Sequence, residues 1–260
     1  MPDGEEWALG RYEQIAPQLS EATDVVLAQA ALRAGERVLD LGCGTGTTAL
    51  AAAATGAIVT GVDPAERLLE IARAAAEQTR APATFVAGEA AELPFADGSV
   101  DVVVSVFGLI MAPSAHAAAA ELARVCTGSA RVVFTAWVPE GALADASAVR
   151  RALLSAASTT GAPFAWHDQE SVAALLGPYG FTVDYREHEL AFTADSPTAF
   201  AEAELAEHPM WELARRRIGP DWDEDDVRER ILAVFDAANE DPTAFKVSSP
   251  YAVLVANRTN

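Results

Sequence analysis

Apolar residues gather along this chain in short runs separated by stretches of helical character. Val38, Leu39 and Leu41 make the first run, and Asp40 is the one charge inside it. Ala57 to Val62, Thr84 to Gly88, Val100 to Val106 and Arg131 to Trp137 repeat the pattern. Continuous rather than alternating apolarity is what a strand shows when both its faces are covered. Ala49 to Ala54, Ala65 to Thr79 with Leu68, Leu69 and Ile71 apolar, and Ser114 to Val125 read as helices between them. The pattern amounts to five repeats of strand followed by helix. Crossovers that short demand a parallel sheet with right-handed connections.

The rest of the chain follows other rhythms. Residues 1 to 33 read as one or two helices, with Trp7, Leu9, Tyr12, Ile15 and Leu19 at helical spacing ahead of a second apolar face on Val25, Val26, Leu27 and Leu32. Beyond Trp137 come a helix near Ala142 to Ser158, a loop with Pro163 and Trp166, and a helix from Gln169 to Leu176. Thr182 to Phe192 alternates as a strand does, and so does Ala244 to Ala256, interrupted by Pro250. Between these two strands, Pro197 to Ala238 reads as two helices broken at Gly219-Pro220. A connection that long has structure of its own. The expectation is one domain over residues 1–260, with an N-terminal helical cap over 1–33 and a helical lid over 195–243.

Charge narrows the class of substrate. With 38 acidic against 18 basic residues the formal net charge is −20, which argues against partners bearing a phosphate backbone or an anionic membrane surface. No run reaches the ~18 uninterrupted apolar residues of a membrane span, and Asp3, Glu5 and Glu6 replace the basic start of a signal peptide, so a cytoplasmic location is expected. Cys43 and Cys126 are too few for a disulfide framework or a zinc site.

Chemistry concentrates at the end of the first strand. Val38-Leu-Asp-Leu-Gly-Cys-Gly-Thr-Gly46 runs from a strand into a glycine turn, and Thr47 and Thr48 stand where a helix begins. A dinucleotide fingerprint would place its third glycine at position 47, which is Thr, and no Lys follows as in a phosphate-cradling loop. A pyrophosphate ligand is therefore disfavoured. Asp63 ends the second strand, about twenty residues on, where an acid can accept both hydroxyls of a ribose. Standing before Pro64, it also suits a helix N-cap.

The turn, with Asp40 and with Gly42, Gly44 and Gly46 in register, resembles the first motif of the class I S-adenosylmethionine-dependent methyltransferases, in their small-molecule, ubiquinone-biosynthesis-like branch. The resemblance covers about residues 7 to 137 by motif and the remainder by architecture. It implies an α/β, Rossmann-like doubly wound fold: a mostly parallel seven-stranded sheet with an antiparallel last strand, plus a helical lid. It implies S-adenosylmethionine as cofactor, with Tyr12 at the methionyl carboxylate, Asp63 and Pro64 at the ribose, and Leu68 or Leu69, Glu89 and Ala90 around the adenine. Val106 and Phe107 fall at the carboxyl edge of the sheet, where such folds bind ligands.

The implied reaction is methyl transfer to an O, N or C nucleophile of a small molecule, and the oligomeric state is open. Phe107, Trp137, Trp166 and Trp211 are candidates for an aromatic lining, with Trp7 as a weaker one. Where the acceptor must lose a proton, His208 in the lid and His116 after the fourth strand are the candidate bases. His167 and His188 read as loop and strand-surface residues. No acidic triad suggests a metal. Two other classes stay open: a fold relative that binds the cofactor without methylating, such as a cyclase or a binding module, and a nicotinamide oxidoreductase.

Overall fold

The computed structural model describes residues 4–155 and 163–259. The end of the helix expected from Ala142 onward, residues 156–158, lies outside them. The N-terminal cap is more broken than its periodicity predicts. Two single turns, α1 (Gly4–Trp7) and α2 (Tyr12–Ile15), and a 3-10 turn at Ala16–Leu19 precede the first regular helix, α3 (Ser20–Ala30). Gly10, at φ +67°, turns the chain between α1 and α2, and Pro17 stands in the first turn of the 3-10 segment.

The apolar runs become strands close to where they were expected: β1 (Arg37–Leu41), β2 (Ile58–Asp63), β3 (Ala83–Ala87), β4 (Val100–Ser105) and β5 (Cys126–Trp137). Helices α4 (Thr47–Ala53) and α5 (Glu66–Thr79) follow β1 and β2, and α6 (Ala115–Val125) follows β4. After β5 come α7 (Ala142–Ser155), α8 (Gln169–Leu176) and β6 (Phe181–Ala194), then the lid helices α9 (Pro197–Glu207), α10 (Pro209–Ile218) and α11 (Glu224–Ala238), and last β7 (Phe245–Arg258).

Two expectations are corrected. The third strand has no helix after it: residues 88–99 form a loop, tied down by Arg124, whose guanidinium donates to the carbonyls of Leu93 and Phe95 and to Asp97, and by Glu121, which accepts the Leu93 N–H. Pro94 and the Asp97-Gly98 turn leave that segment no room for a helix. The outer end of the sheet is thinly covered there, with Ile58 62% exposed. The lid, in turn, has three helices rather than two. Pro209 lacks an N–H, so α9 stops at Glu207 and α10 restarts at once, its first turn capped by His208.

The seven strands lie in the order β3-β2-β1-β4-β5-β7-β6, with β7 antiparallel to both neighbours and the first five parallel. Helices α3, α4 and α5 and the lid share one apolar cluster; α6 and α8 share the other, on the opposite face. Strand order reverses between β1 and β4, and a crevice opens at the carboxyl ends of such a pair.

Candidate active site

At that crevice lies an open cleft of about 750 Å³, its mouth included. Tyr12, Gly42, Gly44, Asp63, Pro64, Leu68, Glu89, Ala90, Val106 and Phe107 all line it. Asp40 and Gly46 do not. Asp40 instead lines a smaller adjoining pocket of about 350 Å³ with Tyr12, Thr45, Thr47 and Thr48. Gly46 faces the protein: a Cβ there would stand 2.9 Å from Ala72 Cβ and 3.0 Å from the Phe85 ring, so this glycine lets the turn pack on α5 and β3. Gly42 serves packing as well as the cleft, since a Cβ on it would lie 2.6 Å from Gly108 Cα. The turns after β1 and β4 thus touch backbone to backbone.

Asp63 holds the glycine turn in shape. Its Oδ2 accepts the Gly44 N–H at 2.9 Å and its Oδ1 the Ala65 N–H at 2.9 Å. The N-cap of α5 is Ala65, which makes no side-chain cap bond, so the structure favours the clasp over the cap for Asp63. Each carboxylate oxygen retains a lone pair for a further donor. Burial raises the Asp63 carboxyl above its ordinary range, opposed by the Ala65 and Gly44 N–H groups.

Asp40 is 1% exposed, and its Oδ2 is buried without a hydrogen-bond partner. Burial lifts its pKa to about 7; the Ala49 N–H pulls the other way, and the charge of Asp63 adds to the lift. An orphaned buried carboxylate oxygen is rare in folded proteins and marks a place for a donor. Tyr12 stands beside both acids, and its phenol is pushed above the ordinary range by burial and then by Asp63 and Asp40.

Phe107 is the strained point. Its φ of +57° is uncommon for an aromatic residue. The Thr135 hydroxyl accepts its N–H at 2.8 Å, and its ring stacks on Trp137 at 3.9 Å and 5°. Such strain persists only where neighbours over-determine it, and it gathers at functional sites.

A family model described as a methyltransferase domain matches residues 38–128. The demethylmenaquinone methyltransferase of Clavibacter sepedonicus is 33% identical over 197 residues, 67% of this chain and 80% of that protein. The chain belongs to the class I S-adenosylmethionine-dependent methyltransferases. An uncharacterised protein of Mycobacterium tuberculosis is 35% identical over 173 residues, and the match spans 66% of this chain and 63% of that relative's length. The YcgJ protein from Bacillus subtilis superposes with a TM-score of 0.65, covering 93% of this chain and 99% of that one; at 19% identity the likeness is one of fold.

Several expectations about the site need correction. Neither candidate base lines the cleft. His208 turns its Nδ1 back to accept the Met210 N–H at 3.1 Å as the cap of α10, and burial, with Arg150 nearby, holds its pKa down to about 3. His116 sits exposed on the first turn of α6. Of the aromatic lining, Phe107 and Trp7 reach the cleft. Trp137 stands behind Phe107, Trp166 packs edge-on against Phe134 in the core, and Trp211 is buried at 1% exposure beneath Arg150.

Gly108, in the stretch expected at the carboxyl edge, lines the cleft, and sequence reasoning missed Met111, Ala112 and Pro113, which continue the wall after β4. The signal was the glycine just past the strand end. It also missed Arg67, whose guanidinium donates to the carbonyls of Ala8 and Gly10 and to Glu13, fastening the N-terminal segment beside the cleft. On its other side that segment joins the lid, where the Arg11 N–H donates to the Glu207 carbonyl at 2.7 Å.

Proposed function

We propose that this protein transfers a methyl group from S-adenosylmethionine to an O, N or C nucleophile of a small molecule. The observation that carries the reading is the pair of buried acids, Asp63 clasping the glycine turn and Asp40 with an unpartnered oxygen, in two adjoining pockets that share Tyr12, Gly42 and Val106. When bound, the cofactor supplies an electrophilic sulfonium methyl and departs as a neutral thioether.

Asp63 accepts the ribose hydroxyls with the lone pairs that Gly44 and Ala65 leave over. Leu68 and Ala90 flank the adenine and Glu89 stands at its edge, while Asp40 and Tyr12 receive the amino-acid end beside Thr45, Thr47 and Thr48. Phe107 and Trp7 present apolar faces that keep water from the reacting centre. Displacement of this kind asks for alignment more than for covalent help, and alignment alone is worth effective molarities of about 10⁵ M or more. An acid–base residue is not required where the acceptor arrives ionised or sheds its proton after attack.

A small-molecule acceptor is supported by the net charge of −20 and by the absence of Lys and Arg among the residues lining either pocket. The name of the Clavibacter relative, demethylmenaquinone methyltransferase, points the same way. Among the described residues no helix is long and apolar enough to cross a membrane. Calorimetric titration with S-adenosylmethionine and with NAD tests the cofactor, and labelled methyl donor with a panel of acceptors tests transfer. Binding of NAD but not of S-adenosylmethionine would overturn the reading. Affinity for S-adenosylmethionine with no methylated product would favour a cyclase or binding module.

A further inference from the structure

Two residues of β5 hold the turn that follows β4. Thr135 and Trp137 stand two apart in that strand and so face the same side of the sheet. Thr135 accepts the Phe107 N–H at 2.8 Å, and Trp137 stacks on the Phe107 ring at 3.9 Å, with Tyr251 of β7 meeting that ring edge-on at 5.7 Å. The β4–β5 ladder ends at Ser105 and Phe134, so the Thr135 hydroxyl takes up the chain where backbone pairing stops. Thr135 is fully buried and lines neither pocket, whereas Phe107 lines the larger and its neighbour Val106 lines both. A side chain outside the pockets thus holds the backbone of one that faces into them.

The two ends of the turn are fixed independently. Ser105, also fully buried, donates its hydroxyl to the Leu41 carbonyl at 2.6 Å and accepts the Leu109 N–H at 2.8 Å. Gly108 packs so tightly on the end of β1 that a Cβ there would lie 2.6 Å from the Leu41 carbonyl oxygen. Between those points stands Phe107, and its φ of +57° is a conformation that an aromatic residue leaves when nothing holds it. Buried N–H groups are nearly always paired, so the hydroxyl that takes this one selects the strained backbone over its relaxed alternatives.

We propose that Thr135 is a positioning residue for the cofactor: through the Phe107 N–H it keeps Val106 and Phe107 against bound S-adenosylmethionine, and it does so by its hydroxyl rather than by its bulk. Without that acceptor Phe107 relaxes to negative φ, and the wall it shares with Val106 shifts off the cleft. The proposal rests on the methyl-transfer reading.

The test titrates the full chain with S-adenosylhomocysteine in a calorimeter, well below the melting temperature. Thr135→Val keeps the shape of the side chain and removes the acceptor, and it weakens binding about five- to tenfold. Thr135→Ser keeps the acceptor and loses a buried methyl, so it lowers the melting temperature while holding affinity within about twofold of wild type. A merely structural role would instead make affinity follow stability across the two variants. Glycine takes positive φ without strain. In a Phe107→Gly background the hydroxyl therefore has no strain left to hold, and adding Thr135→Val changes affinity by less than about twofold. If Thr135→Val folds poorly, Thr135→Cys, whose sulfur is a weak acceptor, replaces it under the same expectations. Equal affinity in wild type and in the variant without the acceptor overturns the proposal. So does a loss in Thr135→Ser as large as in Thr135→Val, or the same loss from Thr135→Val with Phe107→Gly as without it. Failure of the wild type to bind S-adenosylhomocysteine sinks the cofactor reading instead.

Discussion

At the scale of single residues the two buried acids should behave differently. Asp63 acts through hydrogen bonds it already half uses, so Asp63→Ala should weaken S-adenosylmethionine by about 1.5 to 3 kcal/mol in calorimetry; an unchanged dissociation constant would remove it from the cofactor site. Asp40 acts through a charge that burial resists. With its carboxyl raised from 3.8 to about 7 in the fold, the folded protein holds a proton that the unfolded chain has lost between those values. Its contribution to stability is thus fully present below about pH 4 and is lost as pH rises through about 7. Asp40→Asn should therefore flatten the fall in melting temperature over that window. Because a cationic ligand favours the ionised acid, binding near pH 7 should also release a proton, detectable as a dependence of the titration enthalpy on buffer, and Asp40→Asn should abolish the release. Both acids were legible in the sequence because each lies at a strand end, at a spacing the local chain determines. The histidines were not. His208 lies in the lid by sequence, but whether its ring faces the cleft depends on the Pro209 break and the cap of α10, which are settled by packing between helices far apart in the chain.

At the scale of elements, the N-terminal segment is held from two directions. Arg67 of α5 takes three acceptors on it, and the α9–α10 corner of the lid takes the Arg11 N–H and packs so close to Gly10 that a Cβ there would lie 2.5 Å from the Glu207 carbonyl oxygen. Trp7, which lines the cleft, also lies 6.3 Å from the His208 ring. Loosening the α5 side alone, by Arg67→Ala, should speed dissociation of the cofactor severalfold while leaving the core intact, a loss of about 1 to 2 kcal/mol of contacts to charged groups. Stopped-flow fluorescence of the tryptophans measures it; an unchanged dissociation rate would show that the segment does not cover the ligand. The strands of this fold were readable to within a few residues, because a buried parallel strand is an uninterrupted apolar run. The cap and the lid were readable as helical but not as pieces. Their breaks at Gly10 and Pro209 follow single residues whose effect depends on the neighbouring element, and the helix missing after β3 is replaced by a loop that Arg124 holds from another part of the chain.

At the scale of the whole molecule, parallel pairing of the first five strands followed from the repeat of short runs, and the antiparallel end of the sheet came with the family resemblance, whereas the place of β7 between β5 and β6 followed from neither, since nothing in either alternating segment fixes which of the two lies inside. What the composition does determine is the field around the fold. The net charge is −20, and among the described residues most guanidinium groups that form ion pairs do so at the surface, where a pair is worth about 1 kcal/mol or less. The surplus acids repel one another in the compact state, and that repulsion is relieved by unfolding. Added salt screens charges about 10 Å apart at 0.1 M, shortening to about 3 Å at 1 M. Sodium chloride should accordingly raise the melting temperature by a few degrees between about 0.01 and 0.5 M, the reverse of what loss of the surface ion pairs alone would produce. Potassium chloride should act alike, because screening depends on ionic strength and not on the cation. A melting temperature that falls with salt would mean that the paired guanidinium groups outweigh the unpaired carboxylates.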